Sequence, residues 1–139
     1  MAASIKKRSD CPISCSLDIW GDKWSLLIIR NMMLYNLNTY GEFLKMPEKI
    51  ATNILAGRLV SLEKAGLITK HEHPDSKAKI FYKLTPMGID LLPLMVEIGI
   101  WADKHFDISP VAKAMTESAK KDKDGFIRSL ARRLEKIKV

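Results

Sequence analysis

The sequence predicts a mainly α-helical fold carrying one small β-hairpin. Three observations predict it. Apolar residues recur at helical spacing in the front half of the chain, at Leu17, Trp20, Trp24, Leu27, Ile28 and Leu34 and again at Ile54, Leu55, Leu59 and Leu62. After Gly66 the period changes to two short runs rich in β-branched and aromatic residues around a polar turn. The helical period then returns behind Thr85-Pro86.

The elements follow in order. Gly21 and Asp22 split the first apolar stretch into a short helix over 16–20 and a longer one over about 23–34, with the Asp22 carboxylate placed to cap the second start. Residues 36–39 read as a loop. A short helix over 40–46 turns Phe43 and Leu44 inward and stops at Pro47, because proline disfavours the helical region in the residue before it. The next helix runs over 51–65 and ends at Gly66, which supplies a left-handed residue. Strands are expected over 67–72 and 79–84, with residues 73–78 as the tip between them.

Thr85-Pro86 then pairs an N-cap with proline at the first helical position, where its missing N–H costs nothing. The helix expected from 86 to about 106, kinked by Pro93, is apolar on more than one face. A domain this small cannot cover all of that surface, so part of it is expected to meet another subunit. Behind Ser109-Pro110, a weakly amphipathic helix over 112–121 and a solvated break precede a basic last helix. Phe126, Ile127, Leu130, Leu134 and Ile137 line one side of that helix.

Composition narrows the function. At 139 residues and 47% hydrophobic, the chain suits one main globular core burying roughly two-thirds of its unfolded surface. No apolar run approaches the ~20 residues of a membrane helix, and residues 1–10 lack the apolar centre of a secretory signal, so the expected location is the cytoplasm. Cys11 and Cys15 are too few for a disulfide scaffold and lack zinc-ligand spacing, as do His71, His73 and His105. Neither metal nor cofactor is expected. No nucleophile, acid–base pair or phosphate-cradling loop stands out, which argues against an enzyme.

The formal charge of +7 points to a polyanionic partner. Its distribution matters more than its size. Residues 1–110 carry 14 Lys+Arg against 12 Asp+Glu, whereas residues 111–139 carry 9 against 4. For the front part, arrangement must therefore make the case. Three helices, a hairpin and a further helix form the order of a winged helix-turn-helix, whose third helix is presented to the DNA major groove while the hairpin reaches a neighbouring phosphate or the minor groove. Thr52, Asn53 and Arg58 fall off the apolar stripe of that third helix. Asn can pair with adenine and Arg with guanine at two points each. Lys45 and Lys49 flank the helix-helix turn, and Ser76, Lys77 and Lys79 lie near the hairpin tip, all suited to phosphates.

The landmarks Cys11-Pro12, Leu17, Gly21-Asp22-Lys23-Trp24, Gly41-Glu42-Phe43, Leu59, Leu62-Glu63, Gly66-Leu67, Pro74, Tyr82-x-Leu84-Thr85-x-x-Gly88 and Trp101 resemble, in order and spacing, the HxlR-type branch of the MarR-like winged-helix regulators. The resemblance implies a homodimer held by the first and post-wing helices and bound to a near-palindromic operator in double-stranded DNA. Leu17, Leu91, Leu94, Met95, Ile98 and Trp101 then fall at the dimer interface. It also implies that Thr52, Asn53, Gly57 and Arg58 face DNA and that Lys77 and Lys79 belong to the wing. Ala51 stands where the family commonly has Ser, and Ala56-Gly57 replaces longer polar residues, which reduces the base-edge contacts available.

On this basis residues 1–108 form the DNA-binding and dimerisation domain, and residues 109–139 a helical basic extension about which the resemblance says nothing. In some family members a thiol at the position of Cys11 senses oxidants, and Lys6, Lys7 and Arg8 are near enough in sequence to favour its thiolate. An inert cysteine near the dimer surface is the plainer reading of Cys11, and Cys15 reads as core. Trp20, Trp24, Met32, Met33, Met95 and Trp101 suit core and interface contacts and also admit a pocket for a small-molecule effector. The competing functional class is a winged-helix protein–protein interaction module with its basic tail as docking element.

Overall fold

The computed structural model describes residues 7–138. It holds eight helices and one hairpin among them: α1 (Pro12–Trp20), α2 (Ser25–Leu34), α3 (Tyr40–Phe43), α4 (Thr52–Lys64), β1 (Ile68–His73), β2 (Ser76–Leu84), α5 (Pro86–Ile89), α6 (Leu92–His105), α7 (Pro110–Lys121) and α8 (Lys123–Glu135). Two compact units result, one ending at Gly88 and the other spanning Ile89–Ile137. No described helix is long and apolar enough to cross a membrane.

In the first unit, Ile28, Ile29, Met32 and Met33 of α2, Phe43 of α3, Leu55, Leu59 and Leu62 of α4, and Ile68, Tyr82 and Leu84 of the hairpin are buried together with Met46, Ile50 and Leu67. Leu17 and Ile54, expected on inward stripes, are exposed instead, at 45% and 38%. The buried side of α4 centres on Leu55 and Leu59. One residue before Leu55, Ile54 is turned by about 100° onto another face.

Helix ends explain several boundaries. α1 starts at Pro12, four residues before the expected start, with proline at its first position and Cys11 as a cap residue whose side chain makes no capping bond. Asp22 caps the next helix as expected, although α2 begins at Ser25 rather than Lys23. One carboxylate oxygen accepts from the backbone N–H groups of Trp24 and Ser25, both at 2.9 Å, and the other accepts from the Ser25 hydroxyl at 2.5 Å. α3 is shorter than expected, four residues closed by a capping box between Thr39 and Glu42. α4 ends on Gly66 at φ 84. The Leu67 N–H bonds to Leu62 O and the Gly66 N–H to Glu63 O, so two otherwise unpaired carbonyls of the last turn are satisfied.

The hairpin is longer and its tip tighter than expected. Only Pro74 and Asp75 lie between the strands, because the His73 ring nitrogen Nδ1 accepts the Asp75 N–H and closes the turn. The antiparallel register runs from Ile68↔Leu84 to Glu72↔Ile80 and then jumps to His73↔Ser76, leaving Lys77, Ala78 and Lys79 without partners on β1. At the hairpin's base, a Cβ on Gly88 would collide with the Leu67 carbonyl oxygen, so only glycine fits there. The supposed loop before α3 is tied to the hairpin: the Tyr82 N–H donates to Asn38 O at 2.8 Å, and the buried Asn38 side chain donates to Tyr82 O at 3.2 Å.

In the second unit the single helix expected from Pro86 is broken into α5 and α6. Pro93 has no N–H for the Ile89 carbonyl and its ring crowds that carbonyl, so the helix stops and restarts with Pro93 in its first turn. The break before α8 is one residue, Asp122, whose side chain accepts the Gly125 N–H at 3.0 Å. Both α7 and α8 pack on α6 and on each other.

Candidate nucleic-acid interface

α3, the turn through Pro47 and α4 form a helix-turn-helix held from three sides. The Glu42 carboxylate accepts from the N–H groups of Asn38 (3.0 Å) and Thr39 (3.1 Å) and from the Thr39 hydroxyl (3.0 Å). Partial burial works to raise the Glu42 pKa, but these bonds and the charge of Lys79 outweigh it and leave it below the usual value. The Tyr40 hydroxyl donates to Thr52 O at 3.0 Å and pins the start of α4. Across the turn, Arg30 of α2 donates two parallel bonds to Glu48, at 2.8 and 2.9 Å, and lies over the Tyr35 ring. Those bonds from Arg30 are the main reason the Glu48 pKa is lowered. Lys49 adopts φ 59 in this turn, rare for a residue with a Cβ, with its N–H bonded to Met46 O.

The side of α4 turned away from the core carries Asn53 and Gly57, four residues apart and both exposed. Thr52 and Arg58 flank that ridge on opposite sides and do not join it. A Cβ on Gly57 would meet nothing within 4 Å, so the fold itself does not require glycine there. Arg58 reaches back to Asp22, Nη1 to Oδ2 at 3.6 Å, with the two side chains 37% and 28% exposed. Asp22 therefore both caps α2 and holds a recognition-helix arginine. Burial raises its pKa, while its hydrogen bonds from Ser25 and Trp24 and then the Arg58 charge bring it below the usual carboxylate value.

The remaining candidates are placed as follows. Lys45, Lys49, Lys77 and Lys79 are exposed and Ser76 is half-buried in β2 beside the unpaired wing segment. Ile54 and Val60, exposed on α4 at 38% and 51%, were missed. Their signal was the apolar residue out of phase with Leu55, Leu59 and Leu62. Asn38, Arg30 and Glu48 were missed as well. Their partners lie 44 and 18 residues away, beyond any local spacing rule. Cys11 is exposed, and Cys15 is half-buried with its thiol donating to Ser9 O rather than sitting in the core. Lys7 pairs with Asp10 and Arg8 with Asp18, so neither is directed solely at Cys11, and Lys6 lies outside the described residues. Of the suggested interface residues, Leu17, Ile98 and Trp101 are exposed and Leu91, Leu94 and Met95 half-buried; Trp101 stacks with His105 and Phe106. Met32 and Met33 belong to the core of the first unit, and Trp20 and Trp24 are half-buried. No group of three or more His, Cys, Asp or Glu among the described residues is arranged to hold a metal.

A recognition helix set behind a braced turn, with a lysine-bearing hairpin tied to the same core, defines a winged helix-turn-helix protein. The chain belongs to the HxlR-like helix-turn-helix family, which matches residues 19–110, and that family consists of transcriptional regulators. It is 32% identical over 101 residues to the HTH-type transcriptional regulator YdeP of Bacillus subtilis (strain 168), covering 70% of this chain and 75% of that one. It is similar to the solved structure of PA1607, with a TM-score of 0.65 and 37% identity, covering 74% of this chain and 70% of that one. The redox regulator HypR in its oxidized form matches with a TM-score of 0.60 and 25% identity over 70% of this chain and all of that one. The family match ends at Pro110, so most of α7 and all of α8 lie beyond it.

Proposed function

We propose that the protein is a sequence-specific, double-stranded-DNA-binding regulator of transcription. It acts in the cytoplasm as a homodimer on a near-palindromic operator and represses by competing with RNA polymerase for promoters. The observation that carries this reading is the exposed ridge of Asn53 and Gly57 on a helix whose opposite side is fully engaged in the core. Asn53 suits an adenine edge, and the bare Gly57 lets the helix axis come close to the groove floor. The ion pair of Arg58 with Asp22 joins two partly exposed groups and is worth under about 1 kcal/mol. A bidentate guanine contact discriminates by roughly 1–3 kcal/mol, so Arg58 exchanges Asp22 for a base without net loss. Thr52 borders the same groove, Lys45 and Lys49 meet phosphates beside the turn, and Ser76, Lys77 and Lys79 do so from the wing.

Dimerisation uses Leu17 and the α6 face of Leu91, Leu94, Met95, Ile98 and Trp101. The large apolar exposure at Leu17, Ile98 and Trp101 supports this use. Residues 1–108 supply DNA binding and dimerisation, with 109–139 as the extension. Cys11, exposed at the start of α1, is the candidate thiol through which oxidation alters operator affinity, in the manner that the name of HypR attaches to that protein. A response of Cys11→Ser to mild oxidant identical to wild type removes that role. A small-molecule effector is compatible with this scheme, and no catalytic role is assigned.

The test is a mobility-shift titration of the protein's own upstream region against random duplex over a salt series. The expected result is operator binding at least about 10³-fold tighter than random DNA. Equal affinities overturn the assignment. Exposed Ile54 and Val60 favour the second reading, a protein-docking winged helix with a basic docking tail. That reading predicts no retained DNA at moderate salt.

A further inference from the structure

Resting on the DNA-binding reading above, we infer that α8 is a second, sequence-independent contact for the phosphate backbone of duplex DNA, made by Arg128, Arg132 and Lys136.

The cations of residues 111–139 divide into two sets. Lys113 and Lys120 both donate to Asp103 of α6, at 2.7 and 2.6 Å, and the two ammonium groups cover a carboxylate left only 4% exposed. Hydrogen bonds from Lys113 and then Lys120 lower the Asp103 pKa. Lys123, at the first position of α8, pairs with Glu97 of α6. These three lysines are neutralised inside the unit and fix α7 and α8 on α6.

The side chains of Arg128, Arg132 and Lys136 are exposed and have no hydrogen bond or ion pair among the described residues. They follow one another at four-residue steps, advancing about 6 Å along the helix each time. The ridge they form lies opposite Leu134, which is 2% exposed. Gly125 and Ser129 lie alongside them, and Asp124 and Glu135 lie on one flank.

That ridge has the chemistry of a phosphate contact and lacks that of a base reader. It offers two guanidinium groups, which match phosphate oxygens bidentately, and an ammonium, with no Asn, Gln or aromatic residue among them. An anionic membrane fits less well. A helix lying in a bilayer surface presents an apolar face to the lipid, and Phe126, Ile127, Leu130 and Leu134 of α8 are all half-buried or buried within the protein.

The test is the salt dependence of binding to the upstream duplex and to random duplex of equal length. Full-length wild type is compared with Arg128→Ala/Arg132→Ala/Lys136→Ala, with the Arg128→Lys/Arg132→Lys protein and with Lys113→Ala. Each lost phosphate contact shallows the slope of log K on log salt by roughly 0.9, so the triple variant is expected to lose between about 2 and 3 on both duplexes, its preference for the operator unchanged. The Arg-to-Lys protein retains the wild-type slope. Lys113→Ala removes one tail charge that is already paired and also leaves the slope unchanged, while Asp103 keeps Lys120. An unchanged slope in the triple variant, with wild type still binding its operator, overturns the ridge and spares the regulator. A wild type that retains neither duplex overturns the regulator itself. Binding to phosphatidylserine–phosphatidylcholine vesicles that disappears in the triple variant, with DNA slopes unaltered, overturns the ridge in favour of a membrane.

Discussion

The α4-and-wing surface of the first unit and α8 of the second are both presented to solvent with free polar side chains, yet they differ in what they can tell apart. The front of the chain is nearly charge-balanced, with 14 basic against 12 acidic residues through position 110, and its basic recognition residue, Arg58, is held by Asp22. What distinguishes that surface is Asn53 beside an open Gly57. The tail carries 9 basic against 4 acidic residues and no base-reading side chain on its outward ridge. Net charge therefore locates attraction to a polyanion, while specificity sits where the charge is lowest and the hydrogen-bonding pattern richest.

The comparison breaks first at Asn53 and Arg58. Replacing both by Ala is expected to cost operator binding roughly 1–3 kcal/mol for each base contact, about ten- to a hundredfold or more, while random-duplex binding falls little. Equal losses on both duplexes in a mobility-shift titration would move these residues from base edges to phosphates. Gly57→Ala sharpens the point, because the two expected effects have opposite signs. The helix gains about 0.5–1 kcal/mol in urea denaturation, since a Cβ there meets nothing, while operator binding weakens if a groove approaches that position closely.

The brace beneath the surface is next. The folded protein holds the Glu42 pKa below its unfolded value of 4.5, so the carboxylate's contribution is complete above that value and lost as the pH falls through the lower folded value. Glu42→Gln is therefore expected to be less stable than wild type at neutral pH, by about 1 kcal/mol for a lost cap, with the difference closing in acid. A constant difference across the pH range would assign the cap to shape and not to charge. The smallest effect is at the wing, where Lys77→Ala is expected to shallow the salt slope by about 0.9 on operator and random duplex alike.

Much of this was legible in the sequence where one local rule governs one residue. Asp22 caps α2, Gly66 ends α4, and a hairpin follows as the period predicts. The rule that places proline at a helix start was legible at Pro86 and equally available at Pro12, where α1 begins. What stayed hidden depends on distant partners. Arg58 is held by a residue 36 positions earlier, the turn is clamped by Arg30, and Asn38 ties a nominal loop to the wing. Exposure on α4 was misjudged at Ile54 because hydrophobicity, unlike phase around the helix, says nothing about which side a residue takes.

The central claim is that two copies of α4 enter successive major grooves of one operator. Hydroxyl-radical footprinting of the upstream duplex with the full-length protein tests it most directly. Two related protected patches on one face of the duplex, centred about 34–36 Å apart, are the expected result. A single patch, or uniform protection without a centre of symmetry, would contradict it.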